Sequence, residues 1–541
     1  MSTTTAPVPG STDGYALDFL RFGLLASALA YMPGELLFAD AHAFPAELVM
    51  HLFAAGAVVM CLARVRALVV DRTDLFLAAF VALSAASALG ASSGWFAARA
   101  LALTVSGAAV FWAARALARD GWGDVLSRFA ALAAVAVAAT ALLEAYGLVG
   151  ELSLVNRAPG GTLGNRNQMA HLLVLALPAL LLHAGRAPTR PRFAGWMAAL
   201  AVVAAALALS RTRGAWLGVM AVAVAGTAAL LVARRHLRGR WSVDRAGLLA
   251  LAALLGCGAA VTLPNRLQWA SQTPYGDTLR GIVNVEYGSG RGRVIQYANT
   301  LRMAGDHPLL GVGPGNWAVA YPRYASPGDP SYEPRSPMPT GRLPQGDWLG
   351  IAAERGGPAL GFLLLACVAA ALAAIRVLRR EDDPEAVFRG AALLAALAGL
   401  AVVGSVDPVL LTPTASFLFF LLAGALLPPA VRSRTVALGP VRRRAALAAA
   451  ALAGILTVGY GARQAWAGHL YGTGLDLEAL ARATRVNPGD YRAHMLLAEA
   501  LVRQRRCDEA LPYLRASQAL FPTAQAVDSL GARCVAARPA R

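Results

Sequence analysis

Asp306-His307-Pro308-Leu309-Leu310-Gly311-Val312-Gly313-Pro314-Gly315-Asn316-Trp317 stands inside a hydrophilic segment that runs from Pro264 to Gln345. Apolar blocks flank the segment, and it is the one long polar excursion in the first 430 residues. Its glycines invite comparison with a nucleotide loop, but no strand–turn–helix context surrounds them. Glycine alternating with proline predicts a tight-turn segment instead. The chemistry of the chain is expected in this polar island.

Composition agrees with the apolar flanks. The 541 residues are 57% hydrophobic and only 15% charged, with a mean hydropathy of +0.52. That is the make-up of a polytopic membrane protein. The net charge is +18, and every basic side chain besides histidine is arginine. These arginines sit in short loops between apolar blocks, where they set topology, so a nucleic-acid partner is excluded. The five cysteines form no C-x-x-C motif, and no metal site is expected. The polar tail over 1–14 has no basic n-region before a cleavage site, so the first span is expected to act as its own insertion signal.

A spanning helix needs roughly 20 mostly apolar residues. Spans are predicted near 16–34, 44–63, 74–92, 95–114, 125–147, 167–184, 193–210, 214–233 and 246–263, then 347–375, 387–406, 408–428 and 444–462. The expected class is all-α, with 12–13 transmembrane helices. Nine helices fill 15–263, the large loop covers 264–345, three helices fill 346–430, and a basic linker with a thirteenth helix covers 431–463. Every second loop is rich in arginine, among them those with Arg64, Arg66 and Arg72 and with Arg234, Arg235, Arg238 and Arg240. Positive loops lie inside. The N-terminus is therefore expected in the cytoplasm, with the 264–345 loop and the C-terminus outside.

Residues 464–541 read as helical hairpins, with Asn487-Pro488-Gly489-Asp490 and Phe521-Pro522 as separators. The spacing of Leu497, Ala498, Ala500, Ala510, Leu514, Ala519 and Pro522 is similar to that of a tetratricopeptide repeat. A helical cap is the plain reading; a docking module for a protein partner is the functional one.

Several elements on the expected outer side carry candidate chemistry. Gly164-Asn165-Arg166-Asn167-Gln168 leads into a span and exposes backbone N–H groups, a natural anion seat. Ser210-Arg211-Thr212-Arg213-Gly214 places two arginines on a tight outer turn, against the positive-inside rule. Arg291 and Arg293 open a helical stretch with Val294, Ile295, Ala298 and Leu301 on one face. Taken singly, Arg213 could anchor a turn to headgroups, Asn167 could cap a helix and Arg291 could pair with Glu286. Together they fit a diphosphate, whose oxygens guanidinium groups match in a bidentate way. A transporter would need ionisable residues near mid-membrane, and Asp18, Arg21, Glu35 and Glu144 all lie near span ends.

Over residues 15–430 this order of elements resembles the O-antigen ligase / Wzy polymerase superfamily of bacterial membrane glycosyltransferases. The resemblance is carried by Gly164–Ala170, Ser210–Trp216, Arg291, Asp306–Asn316 and a span beginning at Asp347 and reaching Glu354-Arg355-Gly356. It implies transfer of a glycan from an undecaprenyl-diphosphate carrier to an acceptor hydroxyl at the outer face of the cytoplasmic membrane, with neither metal nor cofactor. Arg166, Asn167, Arg211, Arg213 and Arg291 would hold the donor diphosphate. The family typically has a histidine eleven positions before the residue matching Gly356, where this chain has Gln345. Glutamine is no base, so Gln345 or Asp347 is expected to orient the acceptor hydroxyl, and His307 could also approach. The departure equally fits a diverged protein that binds lipid-linked glycan without transferring it.

Overall fold

The computed structural model describes residues 12–34, 37, 40–153, 157–235, 237, 243–281, 288–336, 339–380, 383–429, 432–472, 474 and 476–536. The polar tail before Thr12, Glu35, Arg238, Arg240 and Glu286 lie outside the described residues.

Alanine and leucine dominate the apolar blocks; both favour helix. In hydrocarbon, every backbone polar group must be satisfied within its own segment. Among the described residues, nine α-helices accordingly precede the polar segment: α1 (Thr12–Leu29), α2 (Asp40–Arg64), α3 (Arg72–Leu89), α4 (Gly94–Arg119), α5 (Gly123–Ala145), α6 (Arg166–Gly185), α7 (Arg190–Ser210), α8 (Arg213–Val232) and α9 (Val243–Thr262). The polar segment contains α10 (Pro274–Arg280), α11 (Gly288–Asp306) and α12 (Trp317–Ala320). Beyond it lie α13 (Asp347–Arg355), α14 (Gly357–Arg380), α15 (Pro384–Val406), α16 (Pro413–Leu426) and α17 (Pro440–Gly472). Four shorter helices end the described chain: α18 (Leu477–Val486), α19 (Tyr491–Arg503), α20 (Cys507–Leu520) and α21 (Gln525–Ala536).

The protein is thus an all-α, multi-pass membrane protein, and eleven of its described helices are long and apolar enough to cross a membrane. Of the thirteen predicted spans, the first and twelfth fall short of that measure. α1 carries an Asp18–Arg21 ion pair, and α16 has 14 residues, only ~21 Å at 1.5 Å per residue. The tenth span is divided. Gly356 takes φ +85° and ends α13 before α14 begins. Irregular backbone at membrane depth is tolerated where it is buried in protein or lines a cavity, and the 407–412 stretch before α16 does the latter. Asp347 satisfies part of it by accepting the N–H groups of Val409 and Leu410, each at 3.0 Å.

α6 lies at the centre of the bundle and is the most buried of the spans. Glu144, at the end of α5, shapes the approach to it. Its carboxylate accepts N–H groups from Leu152, Ser153, Gly160 and Gly161 and the Ser153 hydroxyl. A short antiparallel pair, β1 (Ala67–Val70) and β2 (Arg434–Ala437), joins the α2–α3 linker to the linker before α17. Nothing in the apolar pattern announced it.

The Asp306–Trp317 stretch is a tight turn, as its glycines predict. Gly311, Gly313 and Gly315 all take positive φ, and a Cβ at Gly313 would collide with Ala91. Asn316 pins the turn to the α3–α4 linker, accepting Ser93 N–H at 2.7 Å and donating to Ser93 O at 3.1 Å. α17 runs unbroken for 33 residues, and its last turns share an apolar cluster with α2, α18 and α19. The terminal helices also dock on the polar segment: Val319 packs with Tyr491, Met495 and Phe521, and Thr523 donates to Val319 O at 2.6 Å. Cys507 and Cys534 form a disulfide between α20 and α21.

Candidate functional site

A cavity of about 1130 Å³ opens where α2, α4, α6, the start of α8, α11 and the 407–415 stretch meet. Local backbone geometry delivers its arginines. Asn165 caps α6 by accepting Asn167 N–H at 2.9 Å, so Arg166 opens the helix at the cavity rim. Asn167 is therefore not the cap. Its side-chain oxygen accepts the Thr212 hydroxyl at 3.1 Å and ties α6 to the α7–α8 turn. Arg211 ends α7 in the left-handed region, φ 52°, and Arg213 is the first residue of α8. All four residues line the cavity.

Trp269, from the polar segment, lies under two of these cations, its ring 5.4 Å from the Arg166 guanidinium and 4.5 Å from that of Arg211. Arg211 also donates to the Thr278 hydroxyl at 3.0 Å. Arg213 donates to Gly281 O, where a side chain on Gly281 would crowd the guanidinium.

α11 brings a correction. Arg291 is exposed and does not line the cavity; Arg293 does. Two residues on a helix point about 200° apart, so one of the pair had to face away. The apolar face of α11 is the outward one, with Val294 50% and Leu301 61% exposed, while Gln296, Asn299 and Thr300 are buried. Those polar groups are hydrogen-bonded: Asn299 donates to Asp329 at 2.9 Å and Trp317 donates to Thr300 at 3.0 Å. Gln296 accepts Gln345 N–H at 2.6 Å.

Gln345 lines the cavity, and its side-chain oxygen accepts Arg293 Nε at 3.3 Å. Arg293 Nη2 donates to both oxygens of Asp407, at 3.3 and 3.1 Å. His171, one turn into α6 and 1% exposed, places Nε2 3.6 Å from Asp407 Oδ2. The Tyr297 hydroxyl beside this group donates to Ser405 O at 2.8 Å. Burial pushes that hydroxyl up to about 12, so it stays protonated.

Asp347 is absent from the cavity wall. It is fully buried against Val409 and Leu410. His307 is exposed and likewise does not reach the cavity.

The far end of the cavity is built differently. Asp40 accepts Arg342 and, at 2.9 Å, Arg492 of α19. Glu47 accepts Arg99 in a two-pronged pair at 2.7 and 2.9 Å. Sequence reasoning missed these groups, together with Trp269, His171 and Asp407. The one available signal was the rarity of ionisable residues inside apolar helices.

A family model described as O-Antigen ligase matches residues 198–364. The matched stretch contains Arg211, Arg213, Arg293 and Gln345; Arg166, His171 and Asp407 lie outside it. No curated protein matches the chain.

Proposed function

We propose, from the premise that the chain is a multi-pass membrane protein carrying an O-antigen ligase domain over residues 198–364, that it moves a glycan from an undecaprenyl-diphosphate carrier to an acceptor hydroxyl. The observation that carries this reading is the convergence of Arg166, Arg211, Arg213 and Arg293 on one cavity. A diphosphate is the ligand that such a concentration of guanidinium groups fits. As the anomeric bond breaks, charge develops on the departing diphosphate. Cations already fixed there stabilise that charge without reorganising. Asn167 and Thr212 hold the α6 and α8 ends in register, and Gln345 orients the acceptor hydroxyl.

The reaction is placed at the outer face of the cytoplasmic membrane in cell-surface polysaccharide synthesis. Two features support that side: the arginine-rich alternate loops, and the disulfide in the terminal helices, which belongs to an oxidising compartment. These helices dock on the polar segment, so loop and C-terminus share a side. A protein partner would meet the faces of the tetratricopeptide-like helices turned away from that contact.

The test is transfer from a defined undecaprenyl-diphosphate-linked glycan to candidate acceptors in membranes. Arg213→Ala or Arg293→Ala at the wild-type rate would falsify the assignment. Gln345 favours a second reading, a binder of lipid-linked glycan without transfer. Gln345→His separates the two: a gain of transfer marks a weakened enzyme, while binding with continued silence marks a binder.

A further inference from the structure

Gln345 leaves the acceptor end without a base, yet the groups around it include two that could replace one. A single guanidinium links them. Arg293 holds Gln345 through Nε and Asp407 through Nη2, placing a carboxylate beside the amide. Asp407 ends α15 in extended backbone, φ −147°, just before Pro408, and lines the cavity with its side chain 11% exposed. Behind it stands His171. Among the described residues neither imidazole nitrogen has a hydrogen-bond partner, although both are buried. Leaving buried polar atoms unpaired is costly, and such an orphan beside a cavity carboxylate fits a group that exchanges a proton.

The other carboxylates of the region are committed elsewhere. Asp347 takes backbone N–H groups out of reach of the cavity. Asp277 is held by Ser271 and Thr273. Glu354 faces Trp317 N–H and Arg355. Asp40 and Glu47 are ion-paired at the far end.

We propose that Asp407 is the proton acceptor for the acceptor hydroxyl and that His171 carries the proton away from it. This deepens, and rests on, the transferase reading above. In the step, the acceptor oxygen forms a bond to the anomeric carbon while its proton passes to Asp407. The bond from that carbon to the carrier phosphate breaks, and its electron pair leaves with undecaprenyl diphosphate. The proton moves through His171, which lines the cavity, and Asp407 returns to carboxylate.

The experiment is steady-state transfer by the purified full-length chain in nanodiscs, with a synthetic undecaprenyl-diphosphate-linked glycan. Loss of a general base typically costs 10²–10⁴-fold. Asp407→Asn should lower kcat about 100-fold or more while donor KM stays within about threefold. Asp407→Glu should recover at least tenfold of that loss, and His171→Gln should lower kcat about tenfold at unchanged donor KM. Wild-type kcat in Asp407→Asn overturns the proposal. So does a raised donor KM with kcat intact, which would make Asp407 only a clamp on Arg293. If Asp407→Asn does not assemble, His171→Gln decides: wild-type kcat overturns, and the kcat loss supports. A wild-type chain that binds undecaprenyl diphosphate but transfers nothing sinks the transferase reading itself; an active wild type with a fully active Asp407→Asn sinks this inference alone.

Discussion

The two ends of the cavity contain the same side chain put to opposite uses. At the far end, Arg99, Arg342 and Arg492 each meet a carboxylate directly. At the α6–α8 end, Arg166 and Arg211 lie over an indole, Arg213 meets a backbone carbonyl, and Asp407 is the carboxylate that Arg293 holds. Paired cations fasten elements: Asp40 joins α2 to the polar segment through Arg342 and to the terminal helices through Arg492. Arg166 and Arg211, held over an aromatic face, stay fixed in place and keep their charge for an anionic ligand. Counting arginines would have scored the ends alike. What tells them apart is the partner of each.

That contrast can be broken from either side. Asp40→Ala should act mainly on stability. It leaves two half-buried guanidinium groups facing an empty site, at a cost of about 3 kcal/mol, read as a lowered midpoint of thermal unfolding in detergent. Arg293→Ala should do the reverse, lowering transfer about 10²-fold or more with the unfolding midpoint little changed. If both variants moved stability alone, the α6–α8 end would be another fastening. Trp269→Ala sharpens the distinction. Its cation–π contacts are worth about 0.5–2 kcal/mol each, so donor KM should rise several-fold while kcat holds. Arg291→Ala is the smallest: as an exposed residue outside the cavity it should leave transfer within about twofold of wild type.

The spans were legible because hydrocarbon imposes one demand, a long apolar run, and the described helices meet it at eleven of the thirteen predicted positions. α16 shows where that rule thins. Its 14 residues are all buried, so protein rather than lipid surrounds it, and apolarity alone does not measure span length. The site was legible by region and not by residue. Arg211–Gly214 and Asn165–Asn167 do reach the cavity. On α11 the sequence placed Arg291 and Arg293 at the helix start without saying which faces the cavity; the hydrogen-bonded polar face turns inward and brings Arg293 with it. Asp347 looked available because it follows Gln345 closely; its carboxylate is spent on the broken backbone before α16. Asp407 lies 60 residues beyond Asp347 and His171 lies five spans earlier than α16's approach. Their meeting depends on how helices pack, which no local pattern records.

The β1–β2 pair adds a question of timing. Its strands are about 370 residues apart in the chain. At a synthesis rate of roughly 5–20 residues per second, β1 leaves the ribosome about 20–70 s before its partner exists. The same wait applies to α2, whose neighbour α17 is the last of the described helices that is long and apolar enough to cross a membrane. One flank of the earliest helices must therefore be shielded by lipid or by the insertion machinery until α17 has been made. A nascent chain stalled before residue 434 would lack both the seam and the helix that covers α2, and should be the form that quality-control proteases remove.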